Sequence, residues 1–200
     1  MSALKEEMDL IPTASQTVGP FYDLGLTAPN SVARIAPAGA RGQRVKLICT
    51  VYDGEGTPLP DAMVEIWQAN ANGKYNHPDD TQEKPADPEF QGFGRLSTDA
   101  QGVCVFETVK PGRVPSWTDV PQAPHLNVSV FARGVLKRLA TRAYFAGDAA
   151  NEEDAVLALV PQERRETLMM RRDPADSTGE GAWRFAIHLS GPQETVFFDV

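Results

Sequence analysis

The chain has 200 residues, with 19 basic and 27 acidic side chains and a formal net charge of −8. That acidic balance excludes nucleic acid or an anionic membrane as the main partner, because both are gripped by clusters of Lys and Arg. Fractions of 42% hydrophobic and 23% charged residues exclude a disordered or coiled-coil chain, and roughly two thirds of the unfolded surface can be buried at this length, enough for one soluble domain without a disulfide or metal.

Met1 to Pro12 lacks the apolar stretch of a secretory or transit peptide. The first forty residues, rich in Pro, Gly, Ser and Ala with no sustained period, read as an arm; residues 41–200 read as the folded domain. Val45 to Tyr52 is a β-branched, apolar run closed by the turn dipeptide Asp53-Gly54. Further strands are expected at Met63 to Gln68, Gly102 to Val109, Leu126 to Phe131, Leu139 to Tyr144, Trp183 to Leu189 and Thr195 to Val200, and short helices at Asn151 to Leu159 and Gln162 to Met170. Strands broken by Gly, Pro and Asp predict an all-β, antiparallel β-sandwich with long loops, an irregular N-terminal arm and one or two short helices. Two connections, Ala69 to Ser97 and Lys110 to Pro124, are too long for hairpins, and structureless loops of that length are usually functional. Cys49 and Cys104 sit inside apolar runs with no metal-type spacing, which fits buried free thiols in a reducing cytoplasm.

No Gly-x-Ser-x-Gly elbow and no phosphate loop occurs. Gly92-Phe93-Gly94 fits a tight backbone approach near a strand start. Tyr75, His77, Asp79 and Asp80 share the first long connection and His125 ends the second, so a hard ferric ion or a purely structural role are both open for them. Arg133 closes the run Val128 to Ala132. Its planar fork suits a carboxylate, and an ordinary solvated arginine at a strand end is the alternative.

Several segments resemble the intradiol ring-cleaving dioxygenases: Pro12 to Tyr22, Tyr52-Asp53-Gly54, Val64-Glu65-Ile66-Trp67-Gln68-Ala69-Asn70 through Gly73-Lys74-Tyr75, Gly92-Phe93-Gly94-Arg95, and Tyr144-Phe145-Ala146-Gly147-Asp148. The resemblance runs from Pro12 to Val200. It implies a β-sandwich whose catalytic members hold one Fe(3+) with two tyrosines and two histidines. Carried over position by position, Tyr75 and His125 are present, whereas Val114 and Asn127 stand where a tyrosine and a histidine are expected. Gln122 replaces the arginine ahead of the histidines, and Arg142 replaces a glutamine. The resemblance therefore implies a chain with no catalytic residues and no metal of its own, whose vestigial ligand positions are Tyr75, Val114, His125 and Asn127. Its expected partner is a homologous iron-binding beta subunit in a higher-order alpha/beta oligomer, which acts on protocatechuate and O2. Thr17, Gly19, Pro20 and Arg133 are the expected substrate-binding residues, with Arg133 toward the carboxylate. Two rivals remain: a self-sufficient dioxygenase built on Tyr75, His77 and His125, and a non-enzymatic β-sandwich binding module.

Overall fold

Buried residues alternate with partly exposed ones along β1 (Arg44–Tyr52), the signature of a strand with one face on a core. The computed structural model describes residues 13–19, 21–176 and 181–200; the first twelve residues and Pro20, an expected pocket residue, lie outside them. Seven further strands follow: β2 (Met63–Trp67), β3 (Phe93–Ser97), β4 (Val103–Val109), β5 (His125–Phe131), β6 (Leu139–Phe145), β7 (Met169–Arg172) and β8 (Ala182–His188). Their order is β3-β2-β5-β6-β7-β8-β1-β4. Strand β7 is the corner: Met169 and Met170 pair with Tyr144 and Phe145 of β6, while Arg171 and Arg172 pair with Arg184 and Trp183 of β8.

The two halves close over one core. Leu47, Cys49 and Val51 of β1, Phe106 of β4 and Phe185 and Ile187 of β8 share a cluster with Val64, Ile66, Leu126, Val128, Val130 and Phe145 from the other half. Each such side chain contributes roughly 1.5–3 kcal/mol by leaving water. Cys49 lies opposite Cys104 in the β1–β4 ladder; both are free and buried. Contact with Cys104 and burial together push the Cys49 thiol well above its ordinary value. Of the arm, Val32 bridges Arg95 and Ile35 is fully buried in the core.

The all-β sandwich is as expected, with two corrections to its topology and helices. The sheet is mixed, because β1–β8 and β6–β7 pair in parallel. The expected helix Asn151 to Leu159 is split into a 3-10 turn at Ala149–Glu153 and the single turn α1 (Ala155–Ala158), since Asp148 and Asp154 each cap a separate start. Gln162–Leu168 is 3-10, and Met169 leaves it for β7, where two strands offer backbone partners. Thr195 to Val200 forms only a bridge, Phe198 to Ala140. Conversely, β3 emerges from the first long connection: at Gly92, φ is +80° and a Cβ would lie 2.9 Å from the Gln68 carbonyl. Only glycine lets the chain enter the sheet that closely.

Candidate functional site

Strand β5 begins at one set of expected site positions, His125 and Asn127, and the other, Arg133, follows two residues after its end. Along it Leu126, Val128 and Val130 turn into the core, so His125 and Asn127 lie on the opposite face. Register then sets their neighbours: Asn127 stands between Trp67 of β2 and Arg142 of β6, and His125 stands opposite Tyr144. Over this row the two long connections wall a cavity of about 660 Å³, with Tyr75, His77 and Asp79 to Gln82 from the first, and Val114, Pro115 and Gln122 from the second.

Tyr75 is held by its loop. Asn70 Oδ1 accepts from the backbone N–H groups of Asn72 and Lys74, and Asp80 accepts from the N–H of Tyr75 at 2.7 Å. Gly73 (φ +78°) permits contact with the second connection, since a Cβ there would fall 2.0 Å from the Arg113 carbonyl. Lys84 locks the same junction by donating to the carbonyls of Arg113 (2.7 Å) and Gly73 (3.3 Å). The Tyr75 ring stacks on Trp67 at 5.7 Å, and its oxygen accepts from Asn127 Nδ2 at 3.2 Å. Burial raises its pKa, so the phenol keeps its proton at neutral pH.

His125 is 3% exposed. Its Nδ1 donates to the Ala123 carbonyl at 2.7 Å, which leaves the Nε2 lone pair as an acceptor. Burial, reinforced by the Arg142 charge, lowers its pKa to about 4. Arg142 Nη1 reaches Gln122 Oε1 at 2.7 Å and the Tyr144 hydroxyl at 3.3 Å. Behind them is Asp154, 1% exposed, which accepts from the Tyr144 hydroxyl, the Ala123 N–H and the Val156 and Leu157 N–H groups that open α1.

At the far end of β5 the chain builds something else. The strand itself, His125–Phe131, spans about 20 Å at ~3.3 Å per residue, and Arg133 stands in the turn just beyond it. The Arg133 fork grips Asp61 with both arms, Nη2 to Oδ2 at 3.0 Å and Nε to Oδ1 at 3.3 Å. Asp61 has φ of 59°, a left-handed conformation that a short polar side chain tolerates. The arm docks here: Thr17 Oγ1 accepts from the Gly134 N–H at 2.8 Å, the Gly19 carbonyl accepts from the Tyr22 N–H, and the Tyr22 hydroxyl donates to the Asp61 carbonyl. Phe21 (77% exposed), Leu24 and Leu136 are exposed apolar side chains beside these contacts in the chain.

The family model described as "Dioxygenase" matches residues 18–191. The chain belongs to that family, the intradiol ring-cleaving dioxygenases. It is 42% identical to the protocatechuate 3,4-dioxygenase alpha chain of Pseudomonas putida, over 96% of this chain and 98% of that one. It is also 38% identical to the beta chain of Burkholderia cepacia protocatechuate 3,4-dioxygenase, over 77% of this chain and 67% of that one. Among solved structures, the dioxygenase domain of a dioxygenase carbohydrate-binding protein fusion from Streptomyces sp. SirexAA-E matches with a TM-score of 0.61 at 26% identity, covering 90% of this chain and 99% of that one.

Intradiol dioxygenases are iron-dependent, and the residues of this cavity do not fit a ferric ion. Val114 offers no donor atom. Asn127 turns its NH2 toward the Trp67 carbonyl and the Tyr75 oxygen, so it presents hydrogens where a metal needs a lone pair. A guanidinium lines the same space, where it would repel a trivalent cation. Asp80 is spent on its own turn and on Lys74, and Asp79 points into solvent at 91% side-chain exposure.

The structure thus brings Tyr75, Val114, His125 and Asn127 together and puts Arg133, Thr17 and Gly19 together elsewhere. Sequence reasoning missed Asp61 and Asp154. Asp154 had a signal, an aspartate directly before an apolar helical run; Asp61 had only its place after Pro60.

Proposed function

We propose that this chain is the iron-free, alpha-type subunit of a protocatechuate 3,4-dioxygenase, working in the cytoplasm with a homologous beta-type chain that binds the ferric ion. Similarity to both chain types of that enzyme supports the pairing. The observation that carries the reading is the separation of the two clusters: the degenerate cavity lies at the His125 end of β5 and the Arg133 cluster lies beyond the strand's other end, so Arg133 lines no part of that cavity. That position suits a pocket completed by another chain, and the exposed Phe21, Leu24 and Leu136 offer apolar surface for such a contact.

The partner's iron supplies the oxygen chemistry. This chain positions. Arg133 donates two N–H groups to the carboxylate of 3,4-dihydroxybenzoate, a contact worth about 1.5–3 kcal/mol. Thr17 and Gly19, fastened beside Gly134 and Tyr22, close that end and exclude water. The product of inserting both oxygen atoms between the hydroxylated carbons is 3-carboxy-cis,cis-muconate.

Co-expression with a beta-type chain tests this. The complex is expected to cleave protocatechuate, while this chain alone carries no stoichiometric iron and no visible tyrosinate-to-iron band. In the complex, Arg133→Ala should raise KM for protocatechuate about 10- to 100-fold at unchanged iron content. A full complement of iron in the lone chain, or an unchanged KM, overturns the reading.

A further inference from the structure

The cavity over Trp67 and Tyr75 lost the donors for a metal but acquired a charge, and among the described residues that charge makes no direct ion pair; its nearest acid in the hydrogen-bond network, Asp154, is reached only through the Tyr144 hydroxyl. Arg142 is half-buried, and its hydrogen bonds go to two neutral oxygens, those of Gln122 and Tyr144. Among the described residues no carboxylate lies within ion-pair distance of it. Of the acids of the same cavity, Asp80 is engaged by Tyr75, Gln82 and Lys74, and Asp79 points into solvent at the rim. A half-buried guanidinium with no carboxylate in direct contact is under-compensated, and an incoming anion relieves that penalty.

We propose that this cavity is a second, metal-free ligand site that takes a small hydroxylated aromatic carboxylate, with the carboxylate on Arg142 and the ring hydroxyl donating to His125 Nε2. Among the described residues only Nη1 of the guanidinium is engaged, which leaves its remaining N–H groups for a carboxylate. His125 presents a lone pair because Nδ1 carries the proton to Ala123. The stacked Trp67 and Tyr75 supply an aromatic wall, and Val114 and Pro115 face into the same space. A volume of about 660 Å³ is ample for a single ring with two substituents. The site is independent of the Arg133 reading, since it uses the other end of β5 and no partner chain.

Calorimetric titration of the full chain with 4-hydroxybenzoate, benzoate and phenol tests it. We expect one site, with 4-hydroxybenzoate bound most tightly, benzoate weaker for want of the hydroxyl, and phenol weakest. Arg142→Gln should weaken 4-hydroxybenzoate at least about tenfold and leave phenol unchanged. Arg142→Lys, which keeps the charge and loses the planar fork, gives an intermediate loss and serves if the glutamine variant does not fold, which circular dichroism reports. No binding at millimolar ligand, equal affinity for phenol and 4-hydroxybenzoate, or binding lost with Arg133→Ala rather than with the Arg142 variants overturns the proposal. Each of these outcomes leaves the KM effect of Arg133→Ala in the complex untouched.

Discussion

The two ends of β5 differ in how they are held. At the His125 end buried polar side chains are tied to one another: Asp154 ties Tyr144, Ala123 and the start of α1 together, and Tyr144 and Gln122 hold Arg142. At the Arg133 end the pairings are exposed, with Arg133 at 61% and Asp61 at 41% side-chain exposure, and apolar side chains stand in solvent beside them. A chain stores stability in the first arrangement and offers surface in the second. The old ligand positions are tied into the structure around their cavity, while the Arg133 end stands open to solvent.

The sharpest way to break this contrast is to remove Asp154. Asp154→Ala strips acceptors from the N–H groups of Ala123, Val156 and Leu157 and from the Tyr144 hydroxyl, all buried or part of a helix start. We expect a loss of about 3–5 kcal/mol in urea unfolding. A loss below 1 kcal/mol would mean the His125 end is not the stabilised one.

The next effect is acid sensitivity. His125 has a folded pKa of about 4 against an ordinary value of 6.5, so the unfolded chain takes up a proton that the folded chain refuses. The contribution is complete above pH 6.5 and is lost as pH falls toward 4, about 3 kcal/mol in total at ~1.4 kcal/mol per unit. Unfolding midpoints between pH 7 and 4.5 should fall faster in the native chain than in His125→Gln, which has nothing to titrate there. Parallel slopes would show that the imidazole is not held neutral by its surroundings.

The sandwich was legible in the sequence because alternating apolar runs such as Val45 to Tyr52 and Leu126 to Phe131 announce strands directly. The ligand positions were legible because Trp67-Gln68-Ala69-Asn70 and Gly73-Lys74-Tyr75 carry a family pattern against which Val114 and Asn127 stand out. Tertiary pairing was not. Met169 to Arg172 follows a helix-like segment and becomes a strand only because β6 and β8 lie on either side of it, and local sequence holds no record of those neighbours. Asp61 was hidden for a similar reason: its pairing with Arg133 joins residues 72 positions apart, and a left-handed aspartate has no local pattern of its own.

That pair provides the finest test of the contrast. Asn tolerates the same left-handed φ, and the Tyr22 hydroxyl bonds to the backbone carbonyl rather than the carboxylate, so Asp61→Asn keeps the turn and the docked arm. Because the pair is exposed, stability should change by less than about 1 kcal/mol. The functional consequence has a sign: Asp61 occupies the fork that a substrate carboxylate needs, so releasing it should lower KM for protocatechuate in the complex, by up to about fivefold for a competing pair worth at most ~1 kcal/mol. A rise in KM would reverse the relation between the two residues and make Asp61 the group that orients Arg133 rather than the one that competes for it. The open end of β5 would then share with the closed end a side chain fixed from within.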